Sequence, residues 1–411
     1  MNVLQDKRLI HGITGSIAAF KAAELASKLT QMGAKVDVIL TPAAEKFITP
    51  LTLQSVTGRR AYTEDDLWSG EAHVLHIGLA RGADLLIIAP CTANTIAKLA
   101  HGEADNLLTI TALAAQCPLL IAPAMDEGML DHPATQENLA KLKERGAYIA
   151  GPAEGHLASG LSGKGRLIEP QELIGHIRLV LGRKGRLAAK KIVITAGGTQ
   201  EPLDPVRVLT NRSSGKQGYA LAQAAIDAGA EVTLISTPTV LLPPIGARLV
   251  QVQTAKQMLD AVLDESAKAE ALIMAAAVAD FRPKETAENK LKRRDGIPQI
   301  ELEETDDILE AVFRRKSASK GSSNRDAKKP FVTVGFAAES QALIENAGDK
   351  LKAKKLDLIV ANDISAKDAG FGMDTNRVVL LYPNGKQERL PLMTKTEAAD
   401  IIMERLAALM D

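Results

Sequence analysis

The chain has 411 residues, 46% of them hydrophobic and 24% charged, which is enough to bury more than one core and points to two domains of ordinary size. Fifty basic residues balance fifty acidic ones, so no whole-molecule field favours nucleic acid or an anionic membrane, and any anion site must be local. The longest apolar run, Ala271 to Ala279, is far shorter than the ~20 residues that cross a bilayer, no signal peptide is evident, and Cys91 and Cys117 make neither a disulfide framework nor a zinc site, so a soluble cytoplasmic protein is expected.

In chain order, Arg8 to Thr14 reads as a strand, Ser16 to Met32 as a helix, Lys35 to Leu40 and Ala83 to Ala89 as strands, Thr95 to Leu99 as helical, Pro118 to Ala122 as a strand and Pro133 to Arg145 as a helix. Such alternation predicts an α/β fold with an open, mainly parallel sheet covered by helices on both faces. The small, basic stretch Leu181 to Lys190 has no apolar period and marks a domain boundary, giving domains over 1–182 and 190–411. The pattern then restarts. Strands are expected at Lys191 to Thr195, Glu231 to Ser236, Ala271 to Ala277, Phe331 to Phe336, Leu356 to Ala361 and Val378 to Tyr382. Helices are expected at Lys216 to Ala228, Ala255 to Lys268, Ser340 to Lys354 and Thr396 to Met410, and Arg314 to Lys329 reads as a flexible surface insertion.

All seven histidines, both cysteines and Trp68 precede residue 180. Proton transfer near neutral pH therefore has its natural carrier only in the first half. There, Gly12-Ile-Thr-Gly15-Ser16-Ile-Ala follows a strand and opens a helix, a turn compatible with either close packing or a phosphate. Pro90-Cys-Thr92-Ala-Asn94 offers hydroxyl and amide donors at a second strand end, and His76 suits a general base or a hydrogen-bonded helix start.

Taken with Phe47-Ile-Thr-Pro-Leu51, Ala104-Asp-Asn-Leu107 and Pro123-Ala-Met125, these segments resemble, in order and spacing, the flavin-dependent cysteine decarboxylases over about residues 7 to 180. The resemblance implies a flavodoxin-like domain holding FMN, with its phosphate near Gly15 and Ser16 and with Thr41, Thr92 and Asn94 around the flavin. It also implies His76 as base and a course in which the substrate's cysteine end is oxidised to a thioaldehyde, loses CO₂ and is reduced again. Two positions depart from the family pattern. Asp126 stands where the family has an Asn that binds the departing carboxylate, and Ser159 stands where its lid carries a proton-donating Cys. An ionised Asp repels a carboxylate, so either Asp126 is protonated or another donor binds the substrate. A serine hydroxyl is a far weaker acid than a thiol, and His156, or a water held by Ser159, is expected to replace it.

In the second half, Thr195-Ala-Gly-Gly-Thr199 follows a strand and Thr210-Asn211-Arg-Ser-Ser214-Gly215-Lys216 leads into a helix, a glycine, hydroxyl and cation cluster suited to phosphate but not a Walker A loop. With Asp280-Phe-Arg-Pro, Lys290-Leu-Lys292, Gly335-Phe336-Ala-Ala-Glu339 and Ala361-Asn-Asp363 it resembles the CTP-dependent phosphopantothenate-cysteine ligases from about 190 to 411, with a Rossmann-like fold. That likeness implies an acyl-cytidylate made from 4′-phosphopantothenate and CTP, then attack by the cysteine amine. Asn211 would stabilise the intermediate, Asp280 would lie near Mg²⁺ or the cytidine phosphate, and Lys290 would neutralise the acyl-phosphate. Asp307, Ile308, Phe336, Lys350 and Lys354 would hold CTP. Both halves in one chain, in this order, resemble the bifunctional bacterial coenzyme A enzymes, which implies a homo-oligomer with decarboxylase trimers and ligase dimers and no nucleic-acid or membrane partner. Two other readings of the first half are a peptidyl-cysteine decarboxylase, against which the fused ligase argues, and a flavin-binding regulatory subunit, against which His76 argues.

Overall fold

The computed structural model describes residues 2–68, 74–319, 331–339, 342–363 and 372–411, which form two compact units, Asn2–Gly182 and Arg183–Asp411. In the first unit β1 (Arg8–Ile13), β2 (Lys35–Leu40), β3 (Ala61–Tyr62), β4 (Leu85–Cys91), β5 (Leu119–Pro123) and β6 (Tyr148–Ile149) form one parallel sheet in the order β3-β2-β1-β4-β5-β6. Without the two-residue edge strand β3, the remaining five run 2-1-3-4-5 in chain order, the flavodoxin-like winding. Helices cover both faces, so the central strands read as unbroken apolar runs; every residue of β4, Leu-Leu-Ile-Ile-Ala-Pro-Cys, is buried. Each buried Leu or Ile contributes about 1.5–3 kcal/mol relative to an exposed one.

Local chemistry sets where the helices begin. Thr92 accepts from the Thr95 amide and starts the helix Ala93–His101, and Asn106 with Thr109 forms a capping box for Leu107–Ala114. Thr49 and Pro50 start Pro50–Thr57 in the same way. The last two helices, and Leu75–Arg81, are short and have no clear apolar stripe in sequence. The expected helix from Ser16 is in fact a 3₁₀ turn, Ile17–Ala19, followed by the α-helix Phe20–Gln31. Beyond β6 the chain forms an antiparallel hairpin, β7 (Ala153–His156) and β8 (Ser162–Arg166). Its glycine-rich strands give no sequence signal of period two.

The second unit is built on an eight-stranded sheet. Its six parallel strands, Lys191–Ala196, Glu231–Ser236, Arg248–Gln251, Ala271–Met274, Val332–Glu339 and Leu358–Asp363, lie in the order 3-2-1-4-5-6 when counted along the chain, the Rossmann winding. Val378–Leu381 and Gln387–Arg389 extend it antiparallel. The strand expected over Ala271 to Ala277 stops at Met274, where the backbone leaves the sheet to line a cavity. Arg314 to Ser319, read from sequence as the start of an insertion, instead finish the helix Ile308–Ser319, because Ile308 and Val312 are buried and anchor it to the core. The rest of that insertion, together with His73 and Ser340, lies outside the described residues. No described helix is long and apolar enough to cross a membrane.

Candidate functional site

In the first unit the candidate residues gather at the C-terminal ends of β1, β2, β4 and β5, where open α/β sheets bind ligands. The turn after β1 is laced to its neighbours. The Thr92 amide donates to Thr14 Oγ at 3.0 Å, Thr14 Oγ donates to the Pro90 carbonyl at 2.8 Å, and the Thr41 amide donates to the Ile13 carbonyl at 3.1 Å. Gly15 is needed for the closeness of this lacing, since a Cβ there would lie 2.4 Å from the Ala43 Cβ. Ser16 Oγ accepts from the Ala18 amide at 3.2 Å and caps the 3₁₀ turn. Gly15, Ser16, Thr41 and Thr92 are thus brought together, and Asn94 is exposed on the first turn of the helix beside them.

The Ala124 amide donates to the Cys91 carbonyl at 3.0 Å, which carries the turn after β5 alongside Thr92. Asp126 at the end of that turn accepts from the Gly128 amide through Oδ1, at 3.1 Å, and from the Ser159 hydroxyl through Oδ2, at 2.7 Å. The two departures from the decarboxylase pattern therefore touch each other. The hairpin bearing Ser159 is held to the same turn by Met125 N to Gly165 O (3.0 Å) and Lys164 N to Glu127 Oε1 (3.0 Å). Gly165 sits at φ +130°, and a Cβ there would lie 2.1 Å from the Met125 carbonyl oxygen. His156, opposite Ser162 in the hairpin, is exposed.

His76 lies in the first turn of Leu75–Arg81, a helix packed on Leu107–Ala114, whose Leu108 side chain meets the backbone at Gly12. Its Nδ1 is buried with no hydrogen-bond partner among the described residues. A turn that only glycine fits and hydroxyls on three strand ends suit a phosphate-bearing planar cofactor such as FMN.

The second unit has a cavity of about 660 Å³ at the switch point between Lys191–Ala196 and Ala271–Met274. Its inner wall, residues 275–280, is stitched to the neighbouring turn: Thr199 N donates to Ala277 O (3.2 Å), Ala277 N to Gly197 O (2.8 Å) and Ala279 N to Thr199 Oγ (2.9 Å). Asn211, Asp280, Asp307, Ile308, Phe336 and Lys350, from five separate segments, all line it. Asn211 Nδ2 spans the Ala277 and Val278 carbonyls at 3.3 and 3.2 Å, and Lys350 Nζ donates to the Phe336 carbonyl at 3.1 Å.

Lys354 is set back from the lining and pairs with Asp307 at 2.7 Å. Burial pushes the Asp307 carboxyl upward, but Lys354, the Glu310 amide and Lys350 outweigh it and hold the group below the usual carboxylate range. Lys290 is exposed and does not line the cavity; the adjacent Leu291 is pinned to Asp204 and Arg207.

Lys216, the cation of the cluster expected from sequence, is joined by Lys395, which no motif marks: both face the backbone of residues 372–374 through Lys216 Nζ to Gly372 O (3.0 Å) and Lys395 Nζ to Met373 O (2.6 Å). Lys395 is buried, and burial with Lys216 nearby lowers its pKa against the opposing pull of Asp374. In sequence Lys395 is only the first residue of a helix, and nothing local distinguishes it from a solvated lysine.

Among the described residues no three His, Cys, Asp or Glu side chains form a metal cluster. Mg²⁺ in phosphate chemistry needs only one or two protein carboxylates beside the substrate phosphates, a requirement Asp280 fits.

Fold and sites together define a two-unit α/β enzyme, a flavoprotein unit followed by a nucleotide-type Rossmann unit. A family model described as Flavoprotein matches residues 2–181, and one described as DNA/pantothenate metabolism flavoprotein C-terminal domain matches residues 187–410. The chain is 44% identical over 410 residues to the coenzyme A biosynthesis bifunctional protein CoaBC of Bacillus subtilis (strain 168), covering 99% of this chain and 98% of that protein. It is 42% identical over 412 residues to the CoaBC protein of Vibrio vulnificus (strain YJ016), covering 100% of both. A solved C-terminal domain of a CoaBC protein aligns at 38% identity with a TM-score of 0.45, over 55% of this chain and 98% of that one. The chain belongs to the family of bifunctional coenzyme A biosynthesis proteins, enzymes with a decarboxylase and a ligase activity.

Proposed function

We propose that residues 190–411 couple 4′-phosphopantothenate to cysteine at the expense of CTP, and that residues 1–182 decarboxylate the product to 4′-phosphopantetheine with FMN. The observation that carries the ligase half is the cavity at the switch point, which combines a helix N-terminus, hydroxyls, three lysines (Lys216, Lys350 and Lys395) and three aspartates (Asp280, Asp306 and Asp307) in one nucleotide-sized space. Lys216 and Lys395 balance the triphosphate, Asp280 holds Mg²⁺ against it, and Asp307, Ile308, Phe336, Lys350 and Lys354 hold the nucleoside end. Asn211 stabilises the acyl-cytidylate while the amine attacks. Lys290, on the exposed segment outside the cavity, meets the acyl-phosphate only when that segment folds over the bound substrates.

In the first unit Gly15 and Ser16 receive the FMN phosphate, and Thr41, Thr92 and Asn94 flank the ring. FMN supplies the two-electron redox chemistry that makes the carbon next to the carboxylate able to give up CO₂. His76 takes the proton released as the substrate's cysteine end is oxidised, and the 153–166 hairpin closes over that end, with His156 on it as a further proton carrier. Ile17, Phe20, Phe47 and Leu51, apolar and exposed beside the cradle, suit a contact between copies of the chain, in keeping with a cytoplasmic homo-oligomer.

The test is to supply phosphopantothenate, cysteine and Mg²⁺ with CTP or ATP and to measure pyrophosphate. Release with CTP and little with ATP is expected. Release independent of nucleotide identity would refute the CTP assignment.

A further inference from the structure

Decarboxylation replaces a carboxylate by a C–H bond, so each turnover consumes one proton. Oxidation of the substrate and its later reduction cancel. Of the three residues that follow each of the four long strands β1, β2, β4 and β5, only Asp126 carries an ionisable group; the others are Thr14, Gly15, Ser16, Thr41, Pro42, Ala43, Thr92, Ala93, Asn94, Ala124 and Met125. Its Oδ2 is already bridged, at 2.7 Å, to the hydroxyl of Ser159 at the tip of the hairpin.

We propose that Asp126 takes up the proton that decarboxylation consumes when substrate binds, and that Ser159 relays it to the carbon that loses CO₂. The inference rests on the decarboxylase reading of this unit. A substrate carboxylate brought to the strand ends meets the Asp126 carboxylate, and two adjacent carboxylates hold one proton between them. When the bond to the carboxylate breaks, its electron pair stays on the substrate as an enethiolate and CO₂ leaves uncharged. The charge that retained the proton is then gone. Ser159, which can accept and donate at once, takes the proton from Asp126 and gives its own to the carbon, forming the new C–H bond and returning Asp126 to its anionic form.

The elements around Asp126 carry few competitors. Glu127 and Asp131 share its helix, with Glu127 accepting from the Lys164 amide. The hairpin carries Glu154 and His156 on β7 and Lys164 and Arg166 on β8, with Arg166 paired to Glu169 at 2.7 Å. The contacts of the Asp126 carboxylate among the described residues are the Gly128 amide and Ser159.

A purely structural role is the alternative, since Asp126 also caps the helix Glu127–Asp131. Asparagine caps as well as aspartate does, so Asp126→Asn separates the two. The test is calorimetric binding of phosphopantothenoylserine, which bears the carboxylate but no thiol, to the holoenzyme at pH 7 in two buffers of different ionisation heat. Uptake of close to one proton per site is expected for the parent and for Ser159→Ala, and close to none for Asp126→Asn. With phosphopantothenoylcysteine, Asp126→Asn is expected to lower turnover by about 100-fold or more. Adding Ser159→Cys, which puts an acidic thiol at the same tip, is expected to recover much of it. Equal proton uptake by parent and Asp126→Asn, with CO₂ still released by the parent, overturns the proton role and leaves the decarboxylase reading standing. A parent that releases no CO₂ overturns both.

Discussion

Replacing His11 with Gln removes a titration that the fold makes costly. His11 is fully buried in β1, its Nε2 lying 2.7 Å from the Ala89 carbonyl, and burial holds it at about 4 against an ordinary value of 6.5, although the hydrogen bond to Ala89 pulls the other way. The folded value lies below the unfolded one, so the unfolded chain binds the extra proton. The neutral imidazole therefore leaves stability intact above about pH 6.5 and drains it as the pH falls toward 4. A difference of this size corresponds to about 3 kcal/mol in all, with roughly 2 kcal/mol lost by pH 5.

Hydrogen exchange of the full chain reads this directly, because core amides of β1 and β4 exchange through opening of their own unit. Once intrinsic rates are corrected for pH, their protection should fall about 30-fold more between pH 7 and 5 in the parent than in His11→Gln. Parallel losses in the two proteins would show that His11 is protonated at no cost in the fold.

Other consequences follow from single contacts. Asn211→Asp puts a carboxylate against the Ala277 and Val278 carbonyls and, on the proposed assignment, beside the acyl-phosphate, so amide formation should slow about 100-fold while single-turnover pyrophosphate release persists; equal loss of both steps would remove its assigned role. Gly15→Val collides with Ala43 and should yield protein that purifies without flavin yet releases pyrophosphate at the parental rate, measured by absorbance and a coupled assay. Lys354→Met leaves Asp307 without its ammonium partner and should raise the KM for CTP roughly tenfold with little change in kcat.

How much of this was legible in sequence depends on the range over which each signal acts. The long central strands announce themselves because burial on both faces demands unbroken apolar runs, as in Leu85–Cys91. Gly15, Ser16 and Thr92 stand out in sequence because turn chemistry is local, whereas Thr41 entered only through the family resemblance. The contact of Asp126 with Ser159 spans 33 residues, and the gathering of Lys216 and Lys395 at one end of the cavity spans far more. No periodicity encodes either. Lys290 shows the converse: a motif marks the residue, but its distance from the cavity lining is set by how Leu291 is tied to Asp204 and Arg207.

One chain makes and then decarboxylates the same amide. Supplying phosphopantothenate, CTP, Mg²⁺ and cysteine labelled in its carboxyl carbon, and counting labelled CO₂ against pyrophosphate, tests it most directly. The two should accumulate in equal amounts after a short lag, and omitting CTP should abolish both. Pyrophosphate without labelled CO₂, or labelled CO₂ in the absence of nucleotide, would contradict it.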